Sequence, residues 1–116
     1  MGKCLSFDGV NQCVNLGAAP ELEMGTGSIT VSLWLYASAW STYQMLFFGG
    51  ATGGGTGYGI ALQNTNKTLR YEVYGSTGGR QTGISTVLKN DVLQHIVVVF
   101  DRAKLKMCVY VDGALS

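Results

Sequence analysis

Charge is what this chain has least of. Charged residues make up 13% of its 116 positions, about half the ~25% usual for a globular domain, and Gly, Ser, Thr, Asn and Gln take their place. The formal net charge is +1, with Lys and Arg scattered singly from Lys3 to Lys106. No basic stripe can neutralise a run of phosphates, so nucleic acid is not an expected partner. No apolar run reaches the ~18 residues that span a bilayer, and the first residues lack the basic, apolar and small-residue regions of a signal peptide. Membrane insertion is therefore not expected, and this chain shows no signal peptide. The three cysteines, Cys4, Cys13 and Cys108, are odd in number and form no C-x-x-C, which predicts neither a disulfide framework nor a zinc site. Buried or half-buried free thiols are the plainest reading, with one bridge and one leftover as the other. Met1-Gly2-Lys3-Cys4-Leu5-Ser6 fits a myristoylation pattern by letter, but Leu5 and Phe7 read as strand residues.

Helical periodicity is also missing; what is present is period two. Ile29, Val31, Leu33 and Leu35 alternate with Thr30, Ser32, Trp34 and Tyr36, as where successive side chains point to opposite faces of a sheet. Leu5 and Phe7, then Val14 and Leu16, flank Asp8-Gly9-Val10-Asn11 and predict an opening hairpin. Tyr58, Ile60 and Leu62 face Leu69, Tyr71 and Val73 across Asn64–Lys67 as a second hairpin. Ile96–Phe100 and Leu105–Val111 form a third, closing at Asp112-Gly113. With Met45–Phe48 and Gln81–Val87 this makes about nine short strands. Ile29–Tyr36 and Ile96–Phe100 are expected to be central, and a turn of 3₁₀-helix is expected at the only proline, Pro20. The predicted fold class is all-β, an antiparallel two-sheet sandwich in one domain over residues 1–116.

The order of segments resembles a known family. Leu5-Ser6-Phe7-Asp8-Gly9, Val14-Asn15-Leu16-Gly17, the strand Ile29–Leu35 with its central Trp34, His95–Asp101 and Val109-Tyr110-Val111-Asp112-Gly113 resemble, in that order, the pieces of laminin-G-like jelly rolls of the concanavalin A-like lectin and glucanase family. Where that family usually has an aromatic residue and a His ahead of the strand His, this chain has Leu93 and Gln94. The family also continues through further strands after its Asp-Gly turn, whereas this sequence ends at Ala114-Leu115-Ser116, so the domain is read as incomplete at its C-terminus. The resemblance implies that the first strand lacks its usual cover. Main-chain pairing with a second copy, as a homo-oligomer, or with a strand-donating partner chain is then expected along Lys3–Phe7 or Lys106–Val111.

Glycosidases share this architecture, and they need two carboxyl groups flanking the scissile bond. Glu21 and Glu23 alone have the alternating spacing, but they lie in the Pro20 loop outside any strand pattern. Catalysis is not expected. The lone His95 has no nucleophile or metal-ligand pattern beside it and reads as a strand residue with a hydrogen-bond partner. The glycine-rich Gly49–Gly57 stretch lacks a P-loop signature and any following helix, so it reads as a loop joining two strands. The resemblance allows calcium as a cofactor, and Asp8, Asp101 and Asp112 at strand ends are the metal candidates; Asp is also favoured beside turns for its own backbone bonds.

Sugar binding needs exposed aromatic faces beside amide or carboxylate groups. Trp40, Tyr43 and Gln44 are the candidate ligand-binding residues, with Trp40 read equally as a packing residue. Trp34, Tyr58, Tyr71 and Tyr74 read as packing or sheet residues. The functional expectation is a non-catalytic recognition module of an extracellular or surface protein, taking a glycan or protein ligand through loops at the sandwich edge. The alternative is a structural or virion-decorating component assembled through β-strand contacts.

Overall fold

The alternation at Ile29–Tyr36 folds as strand β1, whose odd-numbered aliphatic residues turn inward while Thr30, Ser32, Trp34 and Tyr36 stay exposed. The computed structural model describes residues 2–22, 27–38, 43–50, 57–63, 66–75 and 80–116. After β1 come β2 (Gln44–Gly50), β3 (Gly57–Gln63), β4 (Thr68–Tyr74), β5 (Arg80–Val87), β6 (Leu93–Asp101), β7 (Lys106–Val111) and β8 (Ala114–Leu115). The only helix among the described residues is the 3₁₀ turn at Pro20–Leu22. The strands form two antiparallel sheets, ordered β1-β6-β7-β8 and β2-β3-β4-β5.

Two of the hairpins read from sequence form in the expected register. β3 pairs β4 with Leu62 opposite Leu69, Ile60 opposite Tyr71 and Tyr58 opposite Val73. β6 pairs β7 with Phe100 opposite Met107 and Val98 opposite Val109. Lys67 and Leu105 take positive φ at the ends of these two turns, and Asp112 does so in the turn from β7 to β8, a conformation Asp reaches more readily than most residues. The core lies between the sheets: Tyr58, Ile60, Leu62, Leu69 and Tyr71 from one side meet Ile96, Val98, Phe100 and Val109 from the other. The Tyr58 ring spans the gap, 5.6 Å from the Phe47 centroid and 5.7 Å from Phe100, and its hydroxyl donates to the Leu22 carbonyl at 2.6 Å. Gly49 makes room for this ring, because a Cβ there would lie 2.8 Å from Tyr58 Cζ.

Three expectations are corrected and a fourth is narrowed. β6 is central, but β1 is an edge strand, paired with β6 alone among the described residues; alternation reports that one face is buried and carries no information about the number of neighbours. The opening hairpin does not form a ladder. Asp8 Oδ1 instead accepts from the Val10 and Asn11 amides at 2.9 and 3.3 Å, and Gln12 Oε1 accepts from the Asp8 amide at 2.8 Å, so side chains take up donors that strand pairing would have used. Leu5, Phe7, Val14 and Leu16 are left exposed. Cys4 and Cys13 are free and exposed, and only Cys108 is half-buried. Lys106–Val111, expected to be open to a partner, pairs with β6 along one edge, and on the other edge β8 and Ser116 cover only Val109–Val111, which narrows the open stretch to Lys106–Cys108.

Candidate functional site

Period two places Arg70, Glu72 and Tyr74 of β4 on the face of their sheet turned away from the core, because Leu69, Tyr71 and Val73 occupy the inner face. Opposite them β3 contributes only Gly57, Gly59 and Ala61, so the outer face has a shallow central track. A bulge in β2 between Met45 and Phe47 shifts the pairing, and Met45 and Phe48 thereby both reach the track: a Cβ at Gly59 would lie 3.4 Å from the Phe48 ring and 3.7 Å from the Met45 sulfur. Phe48 meets Tyr74 edge-on at 6.3 Å across it.

At the centre is a buried charge pair. Arg70 Nε is ion-paired with Glu72 Oε1, and the Tyr74 hydroxyl donates to Glu72 Oε2. Glu72 is 2% exposed. A carboxylate taken this far out of water needs partners, and the cation and the hydroxyl are two that this one has. Tyr43, immediately before β2 and 48% exposed, stands at the rim. Burial raises its pKa first and the charge of Glu72 second, with Arg70 opposing. The Tyr74 pKa is pushed up to about 12, chiefly by its bond to Glu72. The protonated hydroxyl is thus the form the fold favours, and its stabilisation is complete below pH 10 and lost as pH climbs from there through about 12. Chemical denaturation across that window is expected to show wild type losing more stability than Tyr74→Phe; equal losses would detach Tyr74 from the pair.

The residues singled out from sequence are distributed differently. Tyr43 reaches the cluster, whereas Gln44 turns the other way and donates to the Gly9 carbonyl at 3.4 Å, tying down the N-terminal turn. Trp40 and Glu23 lie outside the described residues, as do 51–56 of the glycine-rich stretch; Gly50 and Gly57 pair where β2 passes into β3.

Asp8 and Asp101 serve their own turns, while Asp112 reaches across to the start of β6. Asp8 bonds the amides already named. Asp101 Oδ1 accepts from the Lys104 amide at 3.0 Å. Asp112 Oδ1 accepts from the His95 amide at 2.8 Å, and its other oxygen accepts from Gln94 at 3.4 Å. Turn amides lower the pKa of Asp8, led by Val10, and of Asp101, led by Lys104. No group of three or more His, Cys, Asp or Glu side chains converges as a metal site among the described residues.

Trp34 corrects another expectation. It is 66% exposed, on the outer face of β1, stacked on His95 at 4.8 Å, and His95 Nε2 bonds Ser32 Oγ at 2.8 Å. The Arg70–Glu72–Tyr74 set was missed, although the alternation Arg-Tyr-Glu-Val-Tyr carries the signal: opposite charges two residues apart share one face of a strand.

A family model described as the concanavalin A-like lectin/glucanases superfamily, of laminin-G type, matches residues 8–116. No match to a curated protein or to a solved structure accompanies it. No helix among the described residues is long and apolar enough to cross a membrane.

Proposed function

Because the chain belongs to the concanavalin A-like lectin/glucanase superfamily, whose laminin-G-like domains are commonly recognition modules and typically non-catalytic, we propose that it is a non-catalytic glycan-recognition domain of an extracellular or surface protein. The ligand sits on the outer face of β2–β5. One observation carries the reading: two tyrosines rim a buried Arg70–Glu72 pair above a track of glycine and alanine. A tyrosine face packs against the C–H face of a pyranose, and guanidinium N–H groups donate to its hydroxyls. Glu72 already neutralises Arg70, so the site offers directed donors without excess positive charge. That selects a neutral sugar over an acidic one.

Hydrolysis needs a second carboxylate across the bond, and Glu72 is committed to Arg70 and Tyr74. A printed array of neutral and acidic glycans is expected to give saturable binding to neutral structures. Tyr43→Ala is expected to weaken it by about 1–2 kcal/mol, roughly tenfold, as loss of one stacking face would, with the circular dichroism spectrum unchanged. A blank array, or affinity untouched by Tyr43→Ala, contradicts the assignment.

A further inference from the structure

Within its own eight residues β1 has none of the sequence devices that keep an edge strand from pairing: no charge, no proline and no bulge. It reads Ile-Thr-Val-Ser-Leu-Trp-Leu-Tyr, and its register to β6 runs from Ile29–Phe100 to Tyr36–Leu93. Among the described residues its other edge pairs with nothing. Its inner residues Ile29, Val31, Leu33 and Leu35 pack on the core but stay half-buried, and on its outer face Trp34 and Tyr36 are 66% and 58% exposed.

The strand is complementary to itself. Antiparallel pairing puts residues of the same face opposite one another. A twofold axis at Leu33 therefore sets Leu33 against its own copy and Val31 against Leu35 on the inner face, with Ser32 against Trp34 and Thr30 against Tyr36 on the outer. Aliphatic meets aliphatic, each ring meets a hydroxyl-bearing residue, and no charge opposes another. A shift by one pair towards the N-terminus carries Tyr36 past the end of the partner strand, and a shift the other way leaves Thr30 and Val31 without partners in the strand, so this register keeps both rings within the longest same-face ladder. A net charge of +1 adds almost no repulsion between copies.

We propose that two copies of this chain pair antiparallel along β1 about that axis, joining the two β1-β6-β7-β8 sheets into one continuous sheet. An aromatic side chain covers about 150–250 Å² when fully buried, and four partly covered rings with two strand edges bring the interface to the low end of the roughly 1,200–2,000 Å² of specific pairs. The dimer is accordingly one that dissociates on dilution.

Sedimentation equilibrium of the whole chain over a concentration series is expected to show mass rising toward twice the chain mass. Ser32→Lys with Trp34→Lys, both at exposed positions, sets lysine against lysine and is expected to raise the dissociation constant at least tenfold with the circular dichroism spectrum retained. With Cys4, Cys13 and Cys108 replaced by Ser, Leu33→Cys is expected to cross-link to itself on mild oxidation. Val31→Cys and Leu35→Cys are each expected to cross-link only when mixed. A chain monomeric at every concentration overturns the proposal. So does a dimer indifferent to the lysine pair, or one in which Leu33→Cys stays reduced.

Discussion

Replacing Glu72 with alanine is expected to lower folding stability by about 3–5 kcal/mol, the cost of stranding one member of a buried ion pair. The side chains of Arg70 and Glu72 are 18% and 3% exposed, so water cannot fully replace the lost carboxylate, and the Tyr74 hydroxyl loses its acceptor as well. The effect has a characteristic reversal. Arg70→Met with Glu72→Leu removes both charges together and fills similar volume, and such exchanges are commonly neutral or stabilising. The double variant is expected to recover most of the stability lost in Glu72→Ala. Equilibrium denaturation in urea separates the outcomes: a Glu72→Ala cost below about 1 kcal/mol would mean that the pair is solvated and the site is misdescribed.

Phe100→Ala is expected to cost about 3–5 kcal/mol. Phe100 is 2% exposed at the end of the central strand β6, and its ring meets Tyr58 of the opposite sheet. Truncation leaves a cavity that neither sheet can close without shifting its ladder. Small domains have only about 5–15 kcal/mol in total, so this change alone removes a large share. Trp34→Ala deletes a larger side chain yet is expected to cost less than about 1.5 kcal/mol, the worth of its stack on His95. If the two substitutions cost the same in urea unfolding, burial between the sheets is not what holds the sandwich together.

The strands were legible where local chemistry and tertiary packing agree. Tyr58, Ile60 and Leu62 alternate toward the core, and Leu69, Tyr71 and Val73 answer them in the register that pairs them. At Leu5–Leu16 the same alternation competes with Asp8 and Gln12, whose side chains bond the backbone locally, and the ladder loses. The edge position of β1 was illegible for a different reason: an edge strand with one buried face has the same alternation as a central one. Trp34 was readable from its parity, since it alternates with Leu33 and Leu35 and shares a face with Thr30 and Ser32; matching it to a packing residue obscured that.

The site was legible only in part. Tyr43 could be named because an aromatic residue between strands invites the question, but its neighbour Gln44 has the opposite parity and turns to Gly9. Arg70 and Glu72 stood two residues apart on a strand already assigned. What hid them is the usual reading of paired charges on a sheet as a solvated surface. They flank a glycine track on which Met45 and Phe48 lie, with Phe48 meeting Tyr74 across it, and the bulge that brings Met45 and Phe48 there is not written in the hydrophobic pattern.

The most direct test of recognition at this face is glycan binding by the Arg70→Met, Glu72→Leu protein, measured beside wild type on the same array after urea denaturation has shown it equally stable. The account predicts a folded protein that has lost binding to the neutral glycans wild type retains, because the core is untouched and only the directed donors are gone. Undiminished binding by the double variant would contradict it and move the ligand away from the outer face of β2–β5.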